Sequence, residues 1–287
     1  MFTPFEIYWS FQDFWFERWK KIATDDLIIS KINIVISKTI KGKSRYLSAL
    51  LISSKDKSLL KSKNTIVIIC HGFSDSKESL QFFYLPLALQ GYLILTYDAR
   101  GTKGSKKAGK KHQFLERIDD YKRILDWIRN NEQLKLKQIF SVGFSIGAMT
   151  VLCGSFTNDN VRKIIAISSL SYYKNNLRSF NPIVLLNYIL KGVKLFPNED
   201  ENRRLSPYLI MKEFKELNFE ELWLKNSKKV LLIHAKNDRV IKFLNFEQNK
   251  ELLELPIQNT LVLKKGGHTQ KKNEMVLVGK TLQFFSS

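Results

Sequence analysis

Cysteine, proline and glycine are all scarce in this chain of 287 residues, with 2, 6 and 13 copies. Two cysteines make no disulfide framework, and Cys70 and Cys153 sit in apolar stretches without C-x-x-C or metal-ligand spacing. Such usage points to a reduced, cytoplasmic compartment. The low Gly and Pro content excludes collagen-like and low-complexity chains, and 44% apolar against 26% charged residues excludes a wholly disordered one. Long hydrophobic runs are missing too. Thr65–Cys70 and Leu231–Ile233 are only strand-length, so no membrane-spanning helix is expected. A single core in a chain of this length can bury roughly 75% of the surface exposed on unfolding.

Acidic residues are few beside the basic ones, 27 against 47, which gives a formal charge of +20. That sign favours anionic surfaces, whether nucleic acid or lipid headgroups. The lysines are spread over nearly every segment, however, and a Lys-, Ile- and Asn-rich composition also arises from nucleotide bias in a genome.

What is abundant is aromatic residues at the N-terminus: Phe2, Phe5, Tyr8, Trp9, Phe11, Phe14, Trp15, Phe16 and Trp19. As a helix, residues 1–22 would carry a narrow polar stripe of Glu6, Ser10, Asp13, Glu17 and Lys20 opposite a wide aromatic face. The acidic interruptions and the trailing Lys20-Lys21 do not fit a secretory signal. Two readings stand side by side: an anchor on an anionic membrane inner face, and a helix packed on the protein's own core or on a second subunit.

From Leu27 the pattern alternates. Leu27–Ile40 and Arg45–Ser53 are predicted to form an antiparallel pair around Lys41-Gly42-Lys43. The strand Thr65–Cys70, helix Ser79–Gln90, strand Tyr92–Tyr97, helix Gln113–Asn130, strand Gln138–Phe144, a helix from Ile146 and strand Lys163–Ser168 follow. This βαβ series predicts a mostly parallel sheet covered by helices on both faces, with chemistry in the loops at the carboxyl ends of the strands.

Those loops carry the candidate residues. Gly143-Phe144-Ser145-Ile146-Gly147 places a serine between a strand and a helix, where small neighbours permit a sharp turn that presents the hydroxyl. A serine needs a base, itself oriented by a carboxylate. Of four histidines, His268 follows the strand Thr260–Leu263 on a glycine-rich loop, whereas His234 lies within an apolar strand and reads as structural. Asp238 follows the strand Lys229–Ala235 and supplies the acid. The oxyanion donors are assigned to the backbone N–H groups of Phe73 and Ile146, with His71 and Gly72 shaping the turn.

With His71-Gly72-Phe73, Asp98-Ala99-Arg100-Gly101, Gly143–Gly147, Asp238 and Gly267-His268 in place, the sequence resembles the α/β-hydrolase superfamily over about residues 27–285. It is most similar to serine-aminopeptidase-like, monoacylglycerol-lipase-like and feruloyl-esterase-like members. The resemblance implies an α/β-hydrolase fold with an inserted helical cap, and a Ser145, Asp238, His268 triad without metal or organic cofactor. Asp98 and Arg100 fall in a D-x-R-G turn and are read as structural. Lys236-Asn237 before Asp238 departs from the glycine common in relatives and bears on loop geometry.

The expected organisation is a core of residues 23–169 and 229–287 with a cap over 170–228, a segment too long for an ordinary connection. Within it Leu186, Ile189 and Leu190 are candidate substrate-binding residues for an apolar acyl or aromatic group. The basic stretch Lys103–His112 superficially resembles a phosphate loop, but Lys111 stands where Ser or Thr is needed and no strand runs into Gly104. Nucleic-acid binding is not expected, since no reader motif accompanies the lysines. The expected activity is hydrolysis of small-molecule or lipid carboxylic esters. Amide or peptide hydrolysis by the same residues, and a non-catalytic membrane-surface protein on the same scaffold, are the alternatives.

Overall fold

The computed structural model describes residues 25–38, 42–178 and 182–287. The aromatic segment 1–22 lies outside them. Eight strands form one sheet in the order β1-β2-β4-β3-β5-β6-β7-β8. β1 (Leu27–Lys38) and β2 (Ser44–Ser54) are an antiparallel pair, and β2 joins β4 (Leu93–Tyr97) antiparallel as well. The other five, β3 (Thr65–Cys70), β5 (Gln138–Phe144), β6 (Val161–Ile167), β7 (Val230–Ala235) and β8 (Thr260–Leu263), run parallel to one another and to β4.

Why these segments form strands is visible in β3. All six residues are buried: Ile66, Ile68 and Cys70 enter one core, while Val67 and Ile69 enter the other. A period of two in a wholly apolar strand is what a sheet covered on both faces demands. One face is covered by α2 (Gln81–Leu89) and α11 (Glu274–Ser286), through Phe83, Leu87, Leu277 and Phe284. The other receives α3 (Phe114–Asn130), α4 (Ile146–Ser155) and α10 (Leu244–Leu253), through Tyr121, Val151 and Phe246.

The chain leaves β3 towards β4 on one side and returns to β5 on the other. The crevice beyond the carboxyl ends of β3 and β5 is therefore a topological switch point, the place where a doubly wound sheet accommodates a ligand.

Two features differ from expectation. Helix α1 (Lys57–Lys63) was not anticipated, because its signal is local: Asp56 caps it by accepting from Ser58 N–H and Leu59 N–H, and Asn64 ends it in the left-handed region. The segment 170–228 also divides. α5 (Tyr173–Arg178), α6 (Pro182–Leu190) and α7 (Glu199–Leu205) place Tyr173, Tyr188 and Leu205 in a third apolar cluster at the carboxyl edge. α8 (Pro207–Leu217) and α9 (Glu220–Lys228) instead send Met211 and Trp223 into the core beneath the sheet. Only the first part stands at the crevice.

Candidate active site

Ser145 joins β5 to α4 at φ 55° and ψ −120°, a backbone conformation that costs an L residue strain. Its N–H donates to Ile167 O at 2.9 Å, which ties the turn to β6. Both flanking glycines are dictated by close packing. A Cβ on Gly143 would stand 2.2 Å from Gly147 O, and one on Gly147 would stand 2.0 Å from Cys70 O.

Asp238 lies in the turn after β7. Its Oδ1 accepts from Val240 N–H at 2.8 Å and Ile241 N–H at 3.0 Å, so the carboxylate orients itself on its own loop. Its Oδ2 is 2.9 Å from His268 Nδ1, and His268 Nε2 is 2.8 Å from Ser145 Oγ. With an ionised carboxylate as acceptor, Nδ1 carries the proton and Nε2 is left to accept from the serine hydroxyl. Burial pushes the Asp238 carboxyl up, but the charge and hydrogen bond of His268, with His234 and the Val240 N–H, outweigh it and hold the group below the usual carboxylate range.

His234 is fully buried, with Nε2 2.8 Å from Ile241 O and 3.5 Å from Asp238 Oδ2. Burial holds its imidazole below the ordinary value. As a neutral donor to Ile241 O it braces the Asp238 turn.

After β3, His71 is likewise spent on structure. Its Nδ1 donates to Gly72 O at 2.6 Å and its Nε2 accepts from Ala99 N–H at 2.9 Å. Burial, then the nearby Arg117 charge, holds it well below the ordinary histidine range. Gly72 N–H donates to Asp75 Oδ2 at 3.2 Å, and a Cβ on Gly72 would lie 3.7 Å from Ser145 Cβ. The loop bearing Phe73 thus runs past the serine. Ile146 opens α4, where a backbone N–H has no acceptor within the helix; its side chain shares an apolar cluster with that of Phe73.

The Asp98 turn is a scaffold. Asp98 accepts from Lys77 N–H at 3.0 Å, Lys77 Nζ at 2.7 Å and Gly104 N–H at 3.0 Å. Arg100 makes a two-pronged contact with Asp120, Nε to Oδ2 at 2.8 Å and Nη2 to Oδ1 at 2.7 Å. Among the described residues, no group of three or more His, Cys, Asp and Glu could hold a metal ion.

The structure thus brings Ser145, His268 and Asp238 into one hydrogen-bonded row and runs the Phe73 and Ile146 backbones beside Ser145. It does not bring in Leu186, Ile189 and Leu190, which are 56%, 48% and 71% exposed on the outer side of α6. The turn of the helix instead points Leu185 and Tyr188 inward, and the Tyr188 ring stacks on Phe73 with centroids 4.8 Å apart. Arg117 is a further residue sequence reasoning missed. Buried on α3, it donates through Nη2 to His71 O. Its signal was a lone cation within the apolar stripe Phe114, Ile118 and Tyr121.

The family described as the alpha/beta hydrolase fold matches residues 65–207. Among curated proteins none matches the chain in sequence. Among solved structures, the esterase Pf2001 of Pyrococcus furiosus is 20% identical, with a TM-score of 0.59, covering 93% of this chain and 94% of that one. Pyrococcus horikoshii acylaminoacyl peptidase is 18% identical, with a TM-score of 0.62, covering 93% of this chain and 41% of that one. Est1E from Butyrivibrio proteoclasticus is 15% identical, with a TM-score of 0.57, covering 90% of this chain and 99% of that one. At these identities the likeness is one of fold.

Proposed function

The chain belongs to the α/β-hydrolase superfamily, and from that premise we propose that it is a serine hydrolase that cleaves carboxylic esters with an apolar acyl or aromatic group. The row Asp238, His268, Ser145 carries this reading, with contacts of 2.9 and 2.8 Å. His268 Nε2 takes the Ser145 proton as Oγ attacks the ester carbonyl, and Asp238 stabilises the imidazolium that forms. The Phe73 and Ile146 N–H groups hold the oxyanion. As the tetrahedral intermediate collapses, the C–O bond to the alcohol breaks and His268 returns the proton to the leaving oxygen. Water then attacks the acyl-enzyme by the same route and frees the acid.

The apolar specificity rests on what surrounds Ser145. Phe73, Phe114, Ile146, Tyr173 and Tyr188 form one cluster there. An adjoining cavity of about 310 Å³ shares Phe114 and Tyr173 as wall residues. A chain or ring packed there exchanges water for aromatic contact.

The test is a p-nitrophenyl ester series of increasing acyl length, with labelling by a fluorophosphonate probe and Ser145→Ala as control. Turnover and labelling should both vanish in the variant. Full ester turnover by Ser145→Ala would sink the assignment, and labelling of the parent without ester turnover would shift the substrate to amides.

A further inference from the structure

A second cavity, of about 660 Å³, opens beside the loop between β8 and α11, walled by Lys264, Lys265, Lys271, Lys272, Asn237 and Asn273. We propose that it binds a phosphate-type anion and that its occupancy acts on the pairing of Asp238 with His268.

The loop is built to display donors. Asn273 Nδ2 donates to Lys265 O at 2.8 Å and to Lys271 O at 3.1 Å, so the carbonyls of both arms are occupied within the loop. Lys271 N–H donates to Gly266 O at 3.0 Å, which closes the arms on each other. Gly266 at φ 143° and Gly267 at φ 61° take positive φ, and a Cβ on Gly266 would strike Asn273 Nδ2 at 2.6 Å. What remains facing the cavity is four ammonium-bearing side chains from two arms of one loop. None of the residues lining it is acidic. The nearest carboxylate in the loop's bonding is that of Glu274, which accepts from Lys272 N–H at 3.1 Å. Cations held this close repel one another, and an oxyanion with several acceptor atoms both neutralises them and joins the two arms.

The wall also touches the catalytic row through the chain itself. Gly267 N–H donates to Asn237 Oδ1 at 2.9 Å. Gly267 immediately precedes His268, and Asn237 immediately precedes Asp238. One hydrogen bond in the cavity wall therefore spans the two loops whose next residues must stay 2.9 Å apart. An anion that draws the lysine arms together tightens that junction, and an empty cavity leaves it to Asn237 and Asn273. This linkage explains a place for Asn237 where relatives of the fold favour glycine. A free phosphate or phosphomonoester and an anionic lipid headgroup present the same chemistry.

Calorimetric titration with inorganic phosphate at constant ionic strength measures binding without reference to hydrolysis. The comparison is Lys264→Gln/Lys272→Gln, whose two side chains are exposed, with circular dichroism to verify its fold. Saturable binding weakened about ten-fold or more in the variant is the expected result. Co-sedimentation with phosphatidylglycerol vesicles but not phosphatidylcholine, reduced in the variant and without a response to phosphate, would equally support the site and assign a headgroup. Neither response, or equal responses in both proteins, overturns it. The coupling rests on the hydrolase reading and is read separately, as a change in the rate of fluorophosphonate labelling of Ser145 when the cavity is saturated. An unchanged rate with phosphate bound overturns the coupling, whereas absence of labelling under all conditions indicts the hydrolase reading and leaves the binding result standing.

Discussion

Ser145 keeps its strained backbone because neighbours on three strands leave it no other. Gly147 is the sharpest of these constraints, since α4 meets Cys70 O at a distance that admits no side chain. Gly147→Ala should therefore destabilise the protein by about 3 kcal/mol or lose the fold, as overpacking against backbone does. Urea unfolding measures the first outcome and expression in inclusion bodies the second; unchanged stability would mean that α4 shifts freely. Asp238→Asn keeps an oxygen for the Val240 and Ile241 N–H groups but removes the charge behind His268. A fall in kcat of about 10⁴-fold with KM little changed is expected. Steady-state kinetics on the best ester decides it. The three residues of the row were readable because their types are scarce and their places are fixed by strand ends: four histidines, one G-x-S-x-G, one Asp directly after β7. Arg117 and Tyr188 were not, because each takes its meaning from a partner far along the chain, His71 O at a separation of 46 residues and the Phe73 ring.

At the scale of elements, Lys229 shows how a loop between α9 and β7 bears a cost. It is 9% exposed, with Nζ 3.2 Å from Asn158 O and the Phe156 ring beneath it. Burial pushes its ammonium down to about 8 from 10.5. Below pH 8 both the folded and unfolded chains carry the proton, and the folded state bears the full penalty, of order 3 kcal/mol. Between pH 8 and 10.5 the unfolded chain binds more protons, so the penalty fades as pH rises. Lys229→Met should therefore stabilise the protein at pH 7 and lose its advantage by about pH 10.5. Chemical denaturation of both proteins across that range checks the sign; a constant difference would mean that Lys229 keeps its water. The sequence showed this strand well, as it did Thr65–Cys70, Gln138–Phe144 and Thr260–Leu263, since wholly apolar runs between turn residues have one simple use in a covered sheet. It did not show where the cap ends. α6 and α8 are both apolar-faced helices, and amphipathicity says that a face is covered without saying whether by crevice or by core.

The whole molecule carries +20, and that charge does not belong to one surface. Paired cations such as Lys77 with Asp98 and Arg100 with Asp120 are consumed inside the fold. The exposed remainder gives a general field that draws the protein towards anionic surfaces and is screened once the Debye length falls from about 10 Å at 0.1 M salt to about 3 Å at 1 M. Among the described residues no helix is long and apolar enough to cross a membrane. Lasting attachment would need a second, apolar contribution, which the aromatic residues between Phe2 and Trp19 can supply by entering the headgroup region. The two contributions separate in one experiment. Full-length protein and a Δ1–22 variant are sedimented with phosphatidylglycerol vesicles at 0.1 M and 1 M salt. If the aromatic segment is an anchor, both proteins bind at low salt, and only the full-length chain stays bound when the field is screened. Equal release of both at high salt would leave the charge of the folded body as the whole attraction and remove the anchor.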